Sequence, residues 1–258
     1  MAGATGIAFV RTPTANLAEG IVTHLQRSVV DVGRAMVQHA AYCRALAEAG
    51  WQLRDVAPAP ACPDAVFIED AMVVVGHAAI ITRPGAEARR PETEGAEAAA
   101  RTAGLDIVRL AAPATLDGGD VLQVGDTLYV GRSGRTNAEG IRQLRAAVSP
   151  LGRRVVPVRL NAVLHLKSAV TALPDGTFLA LPELFEPGVF PVVRPVAEEG
   201  GCHVVPLGGD AILIAASAPR TADALADLGF DPRVVDISEF EKLEGCVTCL
   251  SVLVPPRR

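Results

Sequence analysis

The chain shows no strong excess of charge, almost no lysine, no regular set of cysteines and no long apolar run. Its formal net charge is −5 over 258 residues, a mild balance that argues against nucleic acid or an anionic membrane as the main partner. Lysine occurs only at Lys167 and Lys242, the other basic side chains being arginine. Together with the abundant alanine, this reads as genome composition rather than function. The cysteines are Cys43, Cys62, Cys202, Cys246 and Cys249. An odd count at irregular spacing does not suggest a disulfide framework. No apolar stretch is long enough to span a bilayer, and Met1–Gly6 lacks the basic and then apolar pattern of a leader. The expectation is a cytoplasmic protein with reduced thiols and no membrane partner. Half the residues are apolar and about a fifth are charged, the balance of an ordinary globular chain, here expected as a single domain over 1–258.

What is present is periodic. Ile7–Val10 reads as a first strand, and Arg11 to Ser28 as a polar loop. Val32, Met36, His39, Cys43 and Leu46 recur at helical spacing, with Asp31 as cap and Gly50 as stop. Trp51–Val56 resembles a strand. Further helices are expected at Glu92–Ala103, at Thr136–Val148, opened by a Thr136-Asn137-Ala138-Glu139 capping box, and at Thr221–Leu228. Between them lie strand pairs, each headed by a polar or reactive residue. Glu69-Asp70 precedes one pair, Asp117-Gly118-Gly119-Asp120 a second and His165-Leu166-Lys167-Ser168 a third. Gly208-Gly209-Asp210 precedes a single apolar run, and Cys249 the last one, Leu250–Val254. Positions 69, 117 and 165 are 48 apart, with intervals of 44 and then 40 to positions 209 and 249. Such a recurrence implies repeated supersecondary units about a common axis, each bringing its head to one central place.

Taken singly, the heads have ordinary explanations: a turn-forming aspartate, a hydrogen-bonded core histidine, a small apolar cysteine. Their coincidence at one phase of the repeat suggests chemistry. Cysteine, histidine and a carboxylate are the layout of covalent catalysis by a thiol. The additional carboxylates point to a cationic electrophile, because a neutral amide would need an oxyanion hole instead. Guanidinium fits, since its planar donors match carboxylates. A rival reading makes Cys246-Val247-Thr248-Cys249 a redox or metal motif. If Gly245–Val254 is one extended strand, however, the two cysteines face opposite ways, and no second cysteine pair completes a zinc site.

Several stretches together resemble the dimethylarginine dimethylaminohydrolases, relatives of arginine deiminase among the guanidino-group modifying enzymes. They are Pro63–Asp70, Ile81–Ala86, Leu116–Leu122, Arg135–Asn137, Leu164–Ser168 and Thr248–Leu253, in family order along nearly the whole chain. The resemblance implies a five-unit pseudo-symmetric α/β propeller, the pentein fold, with a central active site and no metal or organic cofactor. It implies Cys249 as nucleophile, His165 as general acid/base and Asp117 as its orienting carboxylate. Asp70 with Glu69 would hold the guanidinium, and Arg89 and Arg135 the substrate α-carboxylate. Asp64 and the main chain at Leu17 and Leu243 would meet the α-amino group. The partner implied is a small methylated arginine, with a second copy of the chain the only protein partner left open. Action on free arginine, as in arginine deiminase, is the alternative, although this short chain lacks the helical insertion usual there. Two positions depart from the pattern: Leu250 follows Cys249 where many relatives carry a second cysteine, and Glu244 stands where relatives can carry Asp.

Overall fold

The computed structural model describes residues 6–256. Met1–Thr5, most of the segment read for a leader, and Arg257-Arg258 lie outside the described residues. In chain order the regular elements begin with β1 (Ile7–Val10), α1 (Val32–Glu48) and β2 (Gln52–Asp55). Next come β3 (Met72–Val75), β4 (Ala78–Ile81), α2 (Glu92–Thr102) and β5 (Asp106–Arg109), then β6 (Val121–Val124), β7 (Thr127–Arg132), α3 (Ala138–Val148) and β8 (Arg154–Arg159). β9 (Val170–Ala172), β10 (Phe178–Ala180) and β11 (Val193–Pro195) follow, then β12 (Val204–Gly208), β13 (Ala211–Ala215), α4 (Pro219–Asp227) and β14 (Asp231–Val235). The short helix α5 (Ser238–Glu241) and β15 (Val252–Val254) complete them.

These strands form five sheets of three, in the orders β15-β1-β2, β3-β4-β5, β6-β7-β8, β9-β10-β11 and β12-β13-β14. Each middle strand pairs antiparallel with one neighbour and parallel with the next. A parallel pair needs a crossover, and a helix supplies it in four units. The β9-β10-β11 unit is the short one. Between β10 and β11 the chain makes only a 3-10 turn at Pro182–Leu184, in a stretch that also contains Pro187, Gly188 and Pro191 and suits a helix poorly. The last unit joins the two ends of the chain, because β15 pairs with β1. This is the five-unit α/β propeller that the resemblance implies, set about an axis as the repeat suggests.

Local sequence accounts for most element ends. Asp31 accepts from Arg34 N–H at 2.9 Å, a cap worth about 1 kcal/mol, and Gly50 follows α1 at φ 91°. Four details differ from expectation. The cap of α3 is Asn137, whose side chain accepts from Gly140 N–H at 2.8 Å. Thr136 instead turns inward and accepts from Asp117 N–H at 3.2 Å. Gly208-Gly209-Asp210 is not the head of a unit but the tip of the β12–β13 hairpin, where both glycines take positive φ. The true head is the 3-10 turn Glu199–Cys202. Arg11 does not belong to a solvated loop. It is fully buried and donates to the carbonyls of Ala65 and Glu92 at 3.3 and 2.8 Å. Finally, Gly245–Val254 is not one strand. Val247–Leu250 forms a 3-10 turn before β15, so Cys246 and Cys249 do not face opposite ways.

Candidate active site

Every unit opens with a short 3-10 turn at the inner end of its first strand: Ile68–Ala71, Gly118–Asp120, Leu166–Ser168, Glu199–Cys202 and Val247–Leu250. The turns at 68, 118 and 166 pack in sequence, and the 247 turn packs on the 68 turn. Close packing of polar turns requires small residues. At Gly118 an added Cβ would lie 1.9 Å from Glu69 O. At Gly119 it would lie 2.5 Å from His165 Nδ1. The two glycines of the Asp117 motif therefore let neighbouring units approach, and no larger residue fits there without displacement.

His165 sits just before its turn, with Nε2 3.0 Å from Asp117 Oδ2 and Nδ1 3.9 Å from Asp70 Oδ1. Asp117 is held in turn by Gly85 N–H at 2.8 Å. Burial disfavours charge on His165, but Asp70, the hydrogen bond to Asp117, and Asp120 outweigh it and raise its pKa to about 9. His165 is thus an imidazolium at neutral pH. Asp70 accepts from Gly119 N–H at 2.8 Å and from Arg89 Nη1 at 2.6 Å. Burial works against its charge, while His165 and Arg89 hold its pKa below the usual value.

Cys249 lies in the 247 turn, its sulfur accepting from Cys246 N–H at 3.4 Å. Tyr42 of α1 steadies this turn, its hydroxyl donating to Val247 O at 2.8 Å and meeting Ser251 Oγ at 2.8 Å. The hydrogen bond with Cys246, burial, and the charges of Cys246, Glu69 and Asp70 push the Cys249 thiol well above its ordinary pKa. A cation beside the sulfur would reverse the charge contribution.

Cys249, His165, Asp70, Asp64, Arg89, Arg135 and Leu243 line one small cavity, together with Ile21, Phe67, Leu164, Glu244 and Gly245. Its volume is about 20 Å³, room for about one water. An amino acid enters only when these walls part. Leu17 does not line this space. Its carbonyl converges with Asp64 and Leu243 around Gly20, where an added Cβ would lie 2.9 to 3.3 Å from all three residues. Asp64 itself accepts from Ile21 N–H at 3.1 Å. Arg135 reaches Thr23 Oγ1 at 3.2 Å and lies 3.7 Å from Asp117.

Two expected binding residues have other commitments. Glu69 does not line the cavity of Cys249. Its carboxylate pairs with Lys167 and accepts from Thr248 Oγ1 at 3.0 Å. There it borders a second cavity of about 1130 Å³ on the other side of the turns. Burial raises its pKa to about 7, against the opposing effect of Lys167. Arg89 is buried and donates to Asp70, to both oxygens of Glu92 at 2.9 and 2.8 Å, and to the carbonyls of Asp64 and Phe67. Breaking such a buried pair costs about 3–5 kcal/mol, so Arg89 holds the site's walls together whatever else it binds.

Asp120, Glu92, Thr248 and Glu244 were not given these roles from sequence. Asp120 accepts from Leu166 N–H at 2.9 Å and Ser133 Oγ at 2.5 Å. It thereby positions the turn behind His165. Its place in the Asp-Gly-Gly-Asp string was the available signal. Asp70, Asp117 and His165 also bring ligand atoms within 4.8 Å of one another. Their polar atoms already serve each other, Arg89, Gly85 and Gly119, an arrangement suited to holding protons.

Comparison with known proteins agrees with this fold. A family model described as arginine deiminase matches residues 10–218. An N(G),N(G)-dimethylarginine dimethylaminohydrolase of Streptomyces coelicolor is 60% identical over 246 residues, covering 95% of each chain. A crystal structure of a dimethylarginine dimethylaminohydrolase histidine-to-glycine variant, as an adduct with S-methyl-L-thiocitrulline, superposes with TM-score 0.91. It has 34% identity and covers 97% of this chain and 100% of the other. The Pseudomonas aeruginosa enzyme, as a cysteine-to-serine variant complexed with citrulline, gives TM-score 0.88 and 35% identity, covering 97% and 99%.

Proposed function

The chain belongs to the dimethylarginine dimethylaminohydrolase family, and from that membership we propose how its own residues carry out the hydrolysis of Nω-methylated arginine to citrulline and an amine. The observation that carries the reading is the single cavity shared by Cys249, His165 and Asp70, with Arg89 and Arg135 on the same walls.

The substrate guanidinium enters beside Asp70, and its positive charge stabilises the Cys249 thiolate that neighbouring anions otherwise disfavour. Sγ attacks the guanidinium carbon. The imidazolium of His165 gives its proton to the methylated nitrogen, the C–N bond breaks, and dimethylamine or methylamine leaves. The remaining S-alkylthiouronium is attacked by water, which yields a proton to the now neutral His165. The C–S bond then breaks as the remaining hydroxyl proton passes to solvent, releasing citrulline and the thiolate. Asp117 holds the imidazole in orientation throughout. Arg135, on the walls that Arg89 holds together, meets the α-carboxylate. Asp64 and the carbonyls at Leu17 and Leu243 meet the α-amino group once the chain at Ile21 moves aside. Glu69 acts from behind, through Thr248 and the turn of Cys249, rather than on the guanidinium directly.

The test is to incubate the protein with asymmetric dimethylarginine, monomethylarginine and free arginine, and to measure citrulline and released amine. Equal citrulline and methylamine or dimethylamine, lost in Cys249→Ser and retained in Cys246→Ser, is the expected result. Absence of citrulline from every substrate overturns the reading, and a preference for free arginine moves the chain to deiminase activity.

A further inference from the structure

Cys246 has no part in the reaction above, yet its sulfur lies 3.4 Å from that of the nucleophile. The 3-10 turn explains the contact, because residues three apart in such a turn lie on the same side. The two side chains are held there by the hydrogen bond from Cys246 N–H to Cys249 Sγ and by Thr248 Oγ1, 3.2 Å from Cys246 Sγ. A disulfide needs sulfurs about 2.05 Å apart, so closure has only to shorten a separation that the turn already holds on one side. Only Cys249 lines the cavity; Cys246 lies behind it. The layout is that of an accessible sulfur with a second one in reserve.

We propose that Cys246 and Cys249 form a reversible disulfide, a modification site closed by a hydroperoxide and reopened by a dithiol. The Cys249 sulfur attacks one peroxide oxygen, its own proton passing to the oxygen that leaves. The O–O bond breaks, leaving a sulfenic acid on Cys249 and releasing an alcohol, or water from hydrogen peroxide. Cys246 sulfur, as thiolate, then attacks Cys249 sulfur. The S–O bond breaks and hydroxide departs, taking up a proton as water. Two electrons have passed from the thiol pair to the peroxide, and an external dithiol returns them by exchange. The hydrogen bond with Cys249 lowers the pKa of Cys246 against the effect of burial, with help from His203 and Thr248, which favours the attacking form. The resolving sulfur intercepts the sulfenic acid before irreversible oxidation. Loss of turnover on closure rests on Cys249 being the nucleophile; formation of the bond does not.

The experiment treats wild-type protein and Cys246→Ser with hydrogen peroxide, then with dithiothreitol. Citrulline formation and the mass of the peptide carrying both positions are followed. Wild type is expected to lose activity as this peptide becomes lighter by two hydrogens, and to recover both on reduction. Cys246→Ser, active before treatment, is expected to gain two or three oxygens on Cys249 and stay inactive after reduction. If wild type accumulates oxygenated Cys249 as fast as the variant and never shows the lighter peptide, the proposal fails. If the lighter peptide forms and reverses while activity is unaffected, the disulfide stands and Cys249 is not the nucleophile.

Discussion

At the scale of single residues, the chemistry depends on how three carboxylates set the charge of His165. Asp70, Asp117 and Asp120 hold it as imidazolium up to a pKa of about 9. The leaving amine needs that proton, so kcat/KM should fall as pH rises through about 9. Asp120→Asn preserves the shape of the site and removes one charge, and should move this alkaline limb to lower pH; an unmoved limb in a pH–rate profile would show that Asp120 acts only on the fold. His165→Ala removes the acid/base altogether. An amine is a poor leaving group without a proton, and loss of one well-placed acid/base costs about 10²–10⁴-fold. The loss should appear in kcat, with KM little changed, because carboxylates and arginines bind the substrate. Near-native kcat in steady-state assays would make His165 a core histidine. Asp117, His165 and Cys249 were legible in the sequence because each stands at one phase of the repeat within a family motif. Asp120 and Thr248 were not, since their partners lie 46 and 179 residues away in the chain.

At the scale of elements, the segment after Gly20 is the wall expected to part when substrate enters. Thr23 and Leu25 N–H donate to Glu244 at 2.7 and 3.0 Å, and His24 N–H donates to the same carboxylate. Ile21 is tied to Asp64. Glu244 holds this position at φ 61°, a left-handed conformation that is uncommon for a side-chain-bearing residue. Glu244→Ala should speed hydrogen exchange at the amides of Thr23, His24 and Leu25. It should also raise KM, by about tenfold at most because these bonds are exposed to water. Unchanged exchange at those amides would locate the moving wall elsewhere. The strand pairs and helices were readable from periodicity. The 247 turn was not, because Val247–Val254 is an apolar, β-branched run without glycine or proline to mark its bend. Gly-Gly-Asp was ambiguous for a related reason: the same string serves as close contact at 118–120 and as hairpin tip at 208–210.

At the scale of the whole molecule, function follows from closing a circle. Pairing of β15 with β1 brings the C-terminal turn of Cys249 against the turn of Asp70, and the intervening units add Asp117 and His165. No local segment contains the site, which is why no single motif could define it and the repeat could. The short β9-β10-β11 unit broke the regular spacing and hid the head at Glu199–Cys202. The central claim is that these units converge on one nucleophile, and trapping the covalent species tests it most directly. Wild type, Cys246→Ser and Cys249→Ser are mixed with asymmetric dimethylarginine, quenched in acid during turnover, digested and weighed. The thiouronium, substrate less dimethylamine, is expected on Cys249 in the first two proteins and no adduct in the third. An adduct on Cys246, or one that persists in Cys249→Ser, would contradict that claim.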